Sequence, residues 1–149
     1  MNRTSGEVHY FFEAVMDDPL HVVFAELGEA GIARLVAAFY EEIPHDDILG
    51  PMYPDDDLEG AAERLCDFLV LRTGGPTRYL ENRGHPALRR RHAPFPITQQ
   101  ARDRWMEIMG RALDSLDADQ NAKEVLRKFL AETATFLINI NQQPGLQIE

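Results

Sequence analysis

The chain contains one cysteine and one tryptophan, and no apolar run in it is long enough to cross a membrane. The single cysteine, Cys66, excludes an intrachain disulfide framework and suits a reducing compartment. Because a span-length segment and the apolar core of a signal peptide are both missing, we expect a cytoplasmic protein with no membrane partner. Cations are also scarce, 15 against 25 acidic residues, for a net charge of −10. This balance disfavours nucleic-acid binding through bulk charge.

What the chain does contain is helical periodicity. Its 149 residues suffice for one domain with a sizeable core. Apolar residues recur at helical spacing over residues 29–43, 58–73, 98–116 and 122–139, and no stretch alternates with a period of two. The pattern predicts an all-α fold in which four helices form two pairs separated by a long loop. A four-helix bundle and a helical sandwich both satisfy it.

Shorter helical segments are expected at the N-terminus. Residues 10–16 are apolar enough for a turn or two, and Asp18 can cap a second short helix that begins at Pro19. We therefore expect an extension over residues 1–23, a main domain over residues 24–141 and a loose tail over residues 142–149.

The most informative stretch covers residues 84–97, Gly-His-Pro-Ala-Leu-Arg-Arg-Arg-His-Ala-Pro-Phe-Pro-Ile. Pro86 suits the start of a helix, and Pro94 and Pro96 prevent its continuation. His92 is thus expected in the last turn of a short helix, between a basic side and an apolar side. Neutral imidazole is a common metal ligand, and one axial histidine can hold a haem iron. A lone histidine in this setting is more often a simple helix-end residue.

The order and spacing of several motifs resemble the group II truncated haemoglobins over residues 24–137. The motifs are Phe39-Tyr40, Tyr53-Pro54, Gly74-Gly75-Pro76, Gly84-His85-Pro86, Arg91-His92-Ala93-Pro94-Phe95 and Arg102-Asp103-x-Trp105. The resemblance implies a two-over-two helical sandwich with haem b (iron protoporphyrin IX) as cofactor. Thr73 departs from the family, whose members often carry an aromatic residue before Gly-Gly-Pro.

The resemblance also implies roles for individual residues. His92 becomes the proximal ligand of the iron. The distal pocket, where a diatomic ligand binds, is then formed by Tyr40, Tyr53, Ala61, Leu65 and Trp105. Tyrosine and indole are apolar groups with one donor, as a partly negative bound ligand requires. Trp105 and Tyr40 are expected as principal donors, with Tyr53 completing the network, since Ala61 has none.

The remaining cofactor contacts implied by the resemblance concern the propionates and the porphyrin. Arg64, Tyr79 and Arg91 are expected near the propionates, because guanidinium groups pair well with carboxylates. Porphyrin packing is assigned to Leu65, Phe68, Phe95, Ile97 and Met109. Each residue also has a plain structural interpretation, as a core side chain or as a cation on a solvated face.

Three functions remain open at this point. The first is reversible binding of dioxygen and other diatomic ligands. The second is a haem oxidoreductase that turns over peroxide or nitric oxide, and its reductant would be a separate electron donor because no flavin or nicotinamide motif is present. The third is a globin-like module without cofactor, against which His92, Tyr40 and Trp105 together argue. Nothing in the sequence distinguishes a monomer from a homodimer.

Overall fold

The computed structural model describes residues 18–140. The helix expected over residues 10–16 lies outside them. These residues contain six α-helices, numbered here in chain order: α1 (His21–Glu42), α2 (Leu58–Arg72), α3 (Arg78–Arg83), α4 (Leu88–His92), α5 (Gln99–Asp114) and α6 (Gln120–Phe136). Two single turns of 3₁₀ helix, Ile43–His45 and Gly50–Met52, lie between α1 and α2. Within the described residues no helix is long and apolar enough to cross a membrane.

The four long helices form the predicted pairs. Helix α1 packs on α2, α5 packs on α6, and α1 also contacts both α5 and α6. The largest fully buried side chains come from these contacts and include Phe39, Leu35, Ile108 and Leu126. The all-α two-over-two sandwich is therefore confirmed, and the bundle alternative is not needed.

Helix α1 is broken at one residue. Gly28 has φ 63° and ψ −179°, which interrupts the helical backbone between His21 and Glu42. A left-handed φ of this kind is accessible to glycine at little cost. The second part of α1 corresponds to the helix predicted over residues 29–43. The first part extends the expected Pro19 helix, whose start is stabilised by a 3.0 Å hydrogen bond from the Leu20 amide to Asp18.

The helix boundaries show where sequence reasoning needed correction. Thr98 caps α5 as predicted, accepting the Ala101 amide at 3.0 Å. Asp57 was expected to cap α2, but its side chain makes no cap hydrogen bond. Helix α6 is capped by Asp119 and ends at Phe136, three residues before the predicted end. Helix α3 was not predicted, because six residues are too few to show periodicity.

Candidate functional site

A cavity of about 580 Å³ lies at the centre of the sandwich, and every one of the six helices contributes to its wall. Its volume is in the range usual for small-molecule and cofactor pockets. The wall is mostly apolar. Twelve of the thirteen residues predicted for the site line it, and Met109 is the exception: Tyr40, Tyr53, Ala61, Arg64, Leu65, Phe68, Tyr79, Arg91, His92, Phe95, Ile97 and Trp105.

Met109 is the predicted residue that does not line the cavity. It lies one helical turn beyond Trp105 on α5 and is fully buried in the core. The apolar face of α5 extends past the end of the cavity. Helical spacing alone therefore could not distinguish a residue of the cavity wall from a residue of the core. Met109 therefore belongs to the core in this structure, and its expected porphyrin contact stays a prediction.

His92 is the last residue of α4, as predicted, and its ring is half-buried in the cavity wall. Its Nδ1 lies 2.7 Å from the carbonyl oxygen of Leu88. Because a carbonyl only accepts, this hydrogen bond assigns the proton of a neutral imidazole to Nδ1. Nε2 then keeps its lone pair, and a hydrogen bond on the other ring nitrogen is the usual way to orient a metal-binding histidine.

Arg91, next to His92, is bound mainly to backbone. Its Nε donates to the Pro86 carbonyl at 2.8 Å, and its Nη2 donates to the carbonyls of Arg83 at 2.7 Å and His85 at 3.3 Å. These bonds fold the segment before α4 around the guanidinium. Only Nη1 has no hydrogen-bond partner among residues 18–140, so Arg91 can offer a carboxylate one edge of its guanidinium group.

The polar-tipped aromatic residues of the distal group are in mutual contact. Trp105 Nε1 donates to the Tyr53 hydroxyl oxygen at 3.2 Å. The rings of Tyr40 and Tyr53 meet edge to face, with centroids 5.6 Å apart. Phe39 packs against both Tyr40 and Trp105 from the core side. The sequence assigned the three polar residues to one network, and the structure brings them together.

The protonation states of Tyr40 and Tyr53 follow mainly from their burial. Burial, with the nearby Tyr53, raises the pKa of Tyr40 far above its ordinary value. Burial also raises the pKa of Tyr53, although the hydrogen bond that it accepts from Trp105 and the neighbouring Tyr40 hydroxyl lower it in part. Both hydroxyls stay protonated near neutral pH. Since Tyr53 is the acceptor in its bond with Trp105, the proton of Tyr53 itself remains available to another group.

The α2 side of the cavity is apolar except at Arg64. Ala61 is only 8% exposed and has no donor, and Phe68 packs edge to face on Tyr79 with ring centroids 5.9 Å apart. Arg64 forms a 3.1 Å ion pair with Asp57. Tyr79 is buried and also lines the cavity. Arg64 and Tyr79 are thus both wall residues, but Arg64 already has an acidic partner.

Several wall residues were not predicted. Arg83 and Arg102 add two cations, α6 contributes Leu130, Thr133 and Ala134, and Leu137 follows directly after its end. These last four residues have the i, i+3, i+4, i+7 spacing of one helix face, and that signal was available in the sequence. Arg83 had no such signal, because it belongs to the short helix α3.

The donor set fits a large, flat, mostly apolar group that carries a metal and carboxylates. One imidazole with an unprotonated Nε2 can bind the metal, the apolar wall can cover the flat group, and arginines can meet the carboxylates. Chemically this matches haem. The distal donors lie in the same cavity and can reach a small ligand on the metal.

Comparison with known proteins agrees with this description. The family model for bacterial-like globins matches residues 22–139. The chain is 39% identical over 123 residues to two-on-two hemoglobin-3 of Arabidopsis thaliana, covering 80% of this chain and 70% of that protein. It is 36% identical to the group 2 truncated hemoglobin YjbI of Bacillus subtilis, covering 83% and 93%. The crystal structure of the group II truncated hemoglobin from Bacillus anthracis superposes with a TM-score of 0.77 at 36% identity, covering 83% and 95%.

Proposed function

The chain belongs to the bacterial-like globin family, among its group II truncated haemoglobins, and from that premise we propose that it binds haem b and uses it to bind dioxygen and other diatomic ligands reversibly. Family membership implies a haem cofactor. The proposal adds the type of haem, the ligands and the residues that hold them.

One observation supports the proposal above the others. The Nδ1 of His92 is bound to the Leu88 carbonyl at 2.7 Å, in a wall of the same cavity that contains the Trp105–Tyr53 hydrogen bond. A histidine suited to be the proximal ligand and a polar group suited to be the distal donor thus share one cavity. Either alone would be an ordinary core feature.

In this proposal each group of cavity residues has its own role toward the haem or its ligand. His92 holds the iron through Nε2. Haem iron supplies the coordination site at which small gases bind. Phe68, Phe95 and Ile97 exclude water from the porphyrin faces, and Arg91 offers its remaining edge to a propionate. Tyr53, held by Trp105 and Tyr40, presents one O–H to the ligand in a site of low dielectric, where such a bond is strong.

An absorption spectrum of the purified protein tests the proposal directly. We expect a haem spectrum that changes on reduction and again on addition of carbon monoxide. In His92→Ala the proximal bond is lost, so the ferrous and carbonmonoxy spectra should change and haem should be retained less well. His85→Ala is the matched control, because His85 is exposed, lies seven residues away and does not line the cavity.

The outcomes separate clearly. A wild-type protein that takes up no haem contradicts the whole proposal. Haem uptake with identical spectra in wild type and His92→Ala would mean that another residue binds the iron. An equal effect of both histidine substitutions would point to general disruption of the segment around α4.

A further inference from the structure

We propose that Asn139 is a positioning residue for His92, acting through the backbone of the segment that follows α4. The inference rests on the proposed function, because it assigns the orientation of the proximal histidine to a residue 47 positions away. Asn139 does not line the cavity. Its effect on the iron would therefore be transmitted through hydrogen bonds alone.

The first step of the argument is a shortage of backbone donors after His92. Pro94 and Pro96 have no N–H. The two nearby amides already have partners. The Ala93 amide donates to the Arg90 carbonyl, and the Phe95 amide donates to the His92 carbonyl at 2.9 Å. The segment therefore does not satisfy the Phe95 carbonyl or the Ile97 amide from within, so their partner is either water or another part of the fold.

Asn139 supplies those partners. Its Nδ2 donates to the carbonyls of Phe95 at 2.9 Å and His92 at 3.3 Å, and its Oδ1 accepts the Ile97 amide at 2.9 Å. Its own amide donates to the Ile97 carbonyl at 3.0 Å. One side chain thus bonds three backbone groups of the segment, and the amide is the only side-chain type that both donates twice and accepts at this size.

The second step concerns the length of α4. A helix of five residues, Leu88–His92, has almost no internal hydrogen bonding to fix its orientation. It is held instead from its two ends, by Arg91 bound to the carbonyls of Pro86 and Arg83, and by Asn139 bound to the carbonyl of His92. The direction of the imidazole depends on both attachments, so releasing the Asn139 end should let α4 rotate.

Two substitutions at Asn139 separate positioning from simple attachment. Asn139→Ala removes every side-chain bond. Asn139→Asp keeps an oxygen that can accept the Ile97 amide, but it loses both donors and places negative charge near two carbonyls. Asn121→Asp is the matched control, since it makes the same change at an exposed position in the first turn of α6, where an acidic residue is tolerated.

Two readouts are used on the purified protein. Amide hydrogen exchange at Ile97 reports the attachment. It should quicken about fivefold in Asn139→Ala, as for loss of one ordinary hydrogen bond, and stay near wild type in Asn139→Asp. The iron–histidine stretching band of the ferrous protein, from resonance Raman spectroscopy, reports the proximal geometry. It should shift or broaden in both Asn139 variants and remain unchanged in Asn121→Asp.

An unchanged iron–histidine band in Asn139→Asp would overturn the proposal, and Asn139 would then only attach the residues after α6 to the segment after α4. If Asn139→Ala fails to fold, Asn139→Asp alone decides the question. If the wild-type protein binds no haem, the proposed function and this inference are both wrong. If it binds haem but the iron–histidine band is the same in wild type and in the Asn139 variants, only this inference is wrong.

Discussion

Trp105 donates its indole N–H to the hydroxyl oxygen of Tyr53 at 3.2 Å, although the two residues are 52 positions apart in the chain. The bond commits the only proton of the indole to a protein partner. It also leaves the Tyr53 proton uncommitted, because Tyr53 is the acceptor in this bond and its hydroxyl donates to no group among residues 18–140. The sequence suggested Trp105 and Tyr40 as principal donors, and we now expect Tyr53 to be the principal donor.

Tyr53→Phe should accelerate dioxygen release about ten- to a hundredfold, because a hydrogen bond to a charged partner contributes roughly 1.5–3 kcal/mol. Carbon monoxide stays nearly neutral when bound, so its release should change far less. Rapid-mixing kinetics of both gases provide the measurement. Trp105→Phe should have a smaller effect in the same direction, since it removes only a support of Tyr53.

The comparison of the two gases also supplies the control. Equal acceleration of both in Tyr53→Phe would indicate a more open pocket. A larger dioxygen effect in Trp105→Phe than in Tyr53→Phe would show that the indole turns away from Tyr53 and donates to the ligand directly.

Arg91→Ala should speed haem transfer to a competing acceptor at both low and high salt. Its bonds to the carbonyls of Pro86 and Arg83 hold the segment before α4, and salt screens them weakly. Arg64→Ala is the comparison, because Arg64 is a partly exposed cation whose pairing with a propionate would be worth about 0–1 kcal/mol. Its effect should vanish at high salt. If the effect of Arg91→Ala also vanished at high salt, Arg91 would act on haem retention only through its charge.

Stability at alkaline pH should depend on Tyr40. Burial raises the pKa of Tyr40, so the folded state keeps a proton that the unfolded chain loses near pH 10. The corresponding stability is fully present below about pH 10 and is lost as the pH rises further. Denaturant unfolding of wild type and Tyr40→Phe across this range should show a steeper decline in the wild type. Parallel curves would mean that Tyr40 ionises in the folded state as easily as in the unfolded chain.

The loop that carries Tyr53 should weaken in acid. Burial alone would raise the pKa of Asp46, but hydrogen bonds from the amides of Leu49 and Ile48 and from Arg104 outweigh it and hold the pKa below its ordinary value. The carboxylate therefore stabilises the fold above about pH 4, and this stabilisation is lost as the pH falls through the lower folded-state pKa. Asp46→Asn should be less stable than wild type at neutral pH, and the difference should shrink in acid.

Asp47→Asn is the control for that experiment. Asp47 also bonds Arg104, at 2.8 Å, but its side chain is 83% exposed. Unfolding curves at several pH values should show little effect of this change. An effect as large as that of Asp46→Asn would assign the stabilisation to the charge of Arg104 and not to the buried carboxylate.

The sequence predicted those features that depend on local rules. Pro94 ends the short helix at a fixed distance from His92, and the spacing of Trp105 and Ile108 defines the buried face of α5. His92, Tyr40 and Trp105 became site candidates through motif order, and all three line one cavity. These predictions needed only spacing, proline chemistry and the resemblance.

Other features depend on tertiary contacts that spacing does not encode. Asn139 was expected inside the last helix, and only the structure shows that α6 stops earlier and frees its side chain for the segment after His92. Met109 lies on the same apolar face of α5 as Trp105, yet it does not line the cavity. Arg91 was expected at a propionate. Most of its donors instead bind the carbonyls of Pro86 and Arg83, in the irregular segment before α4.

The bonds between Asn139 and the segment after His92 also have a consequence for biosynthesis. The ribosome makes the chain from its N-terminus, so His92 is added 47 residues before the partner that completes its surroundings. While the chain is still growing, the Phe95 carbonyl and the Ile97 amide have only water to bind. The wall around His92 is therefore completed only after α6 and the residues that follow it, up to Asn139, have emerged and docked.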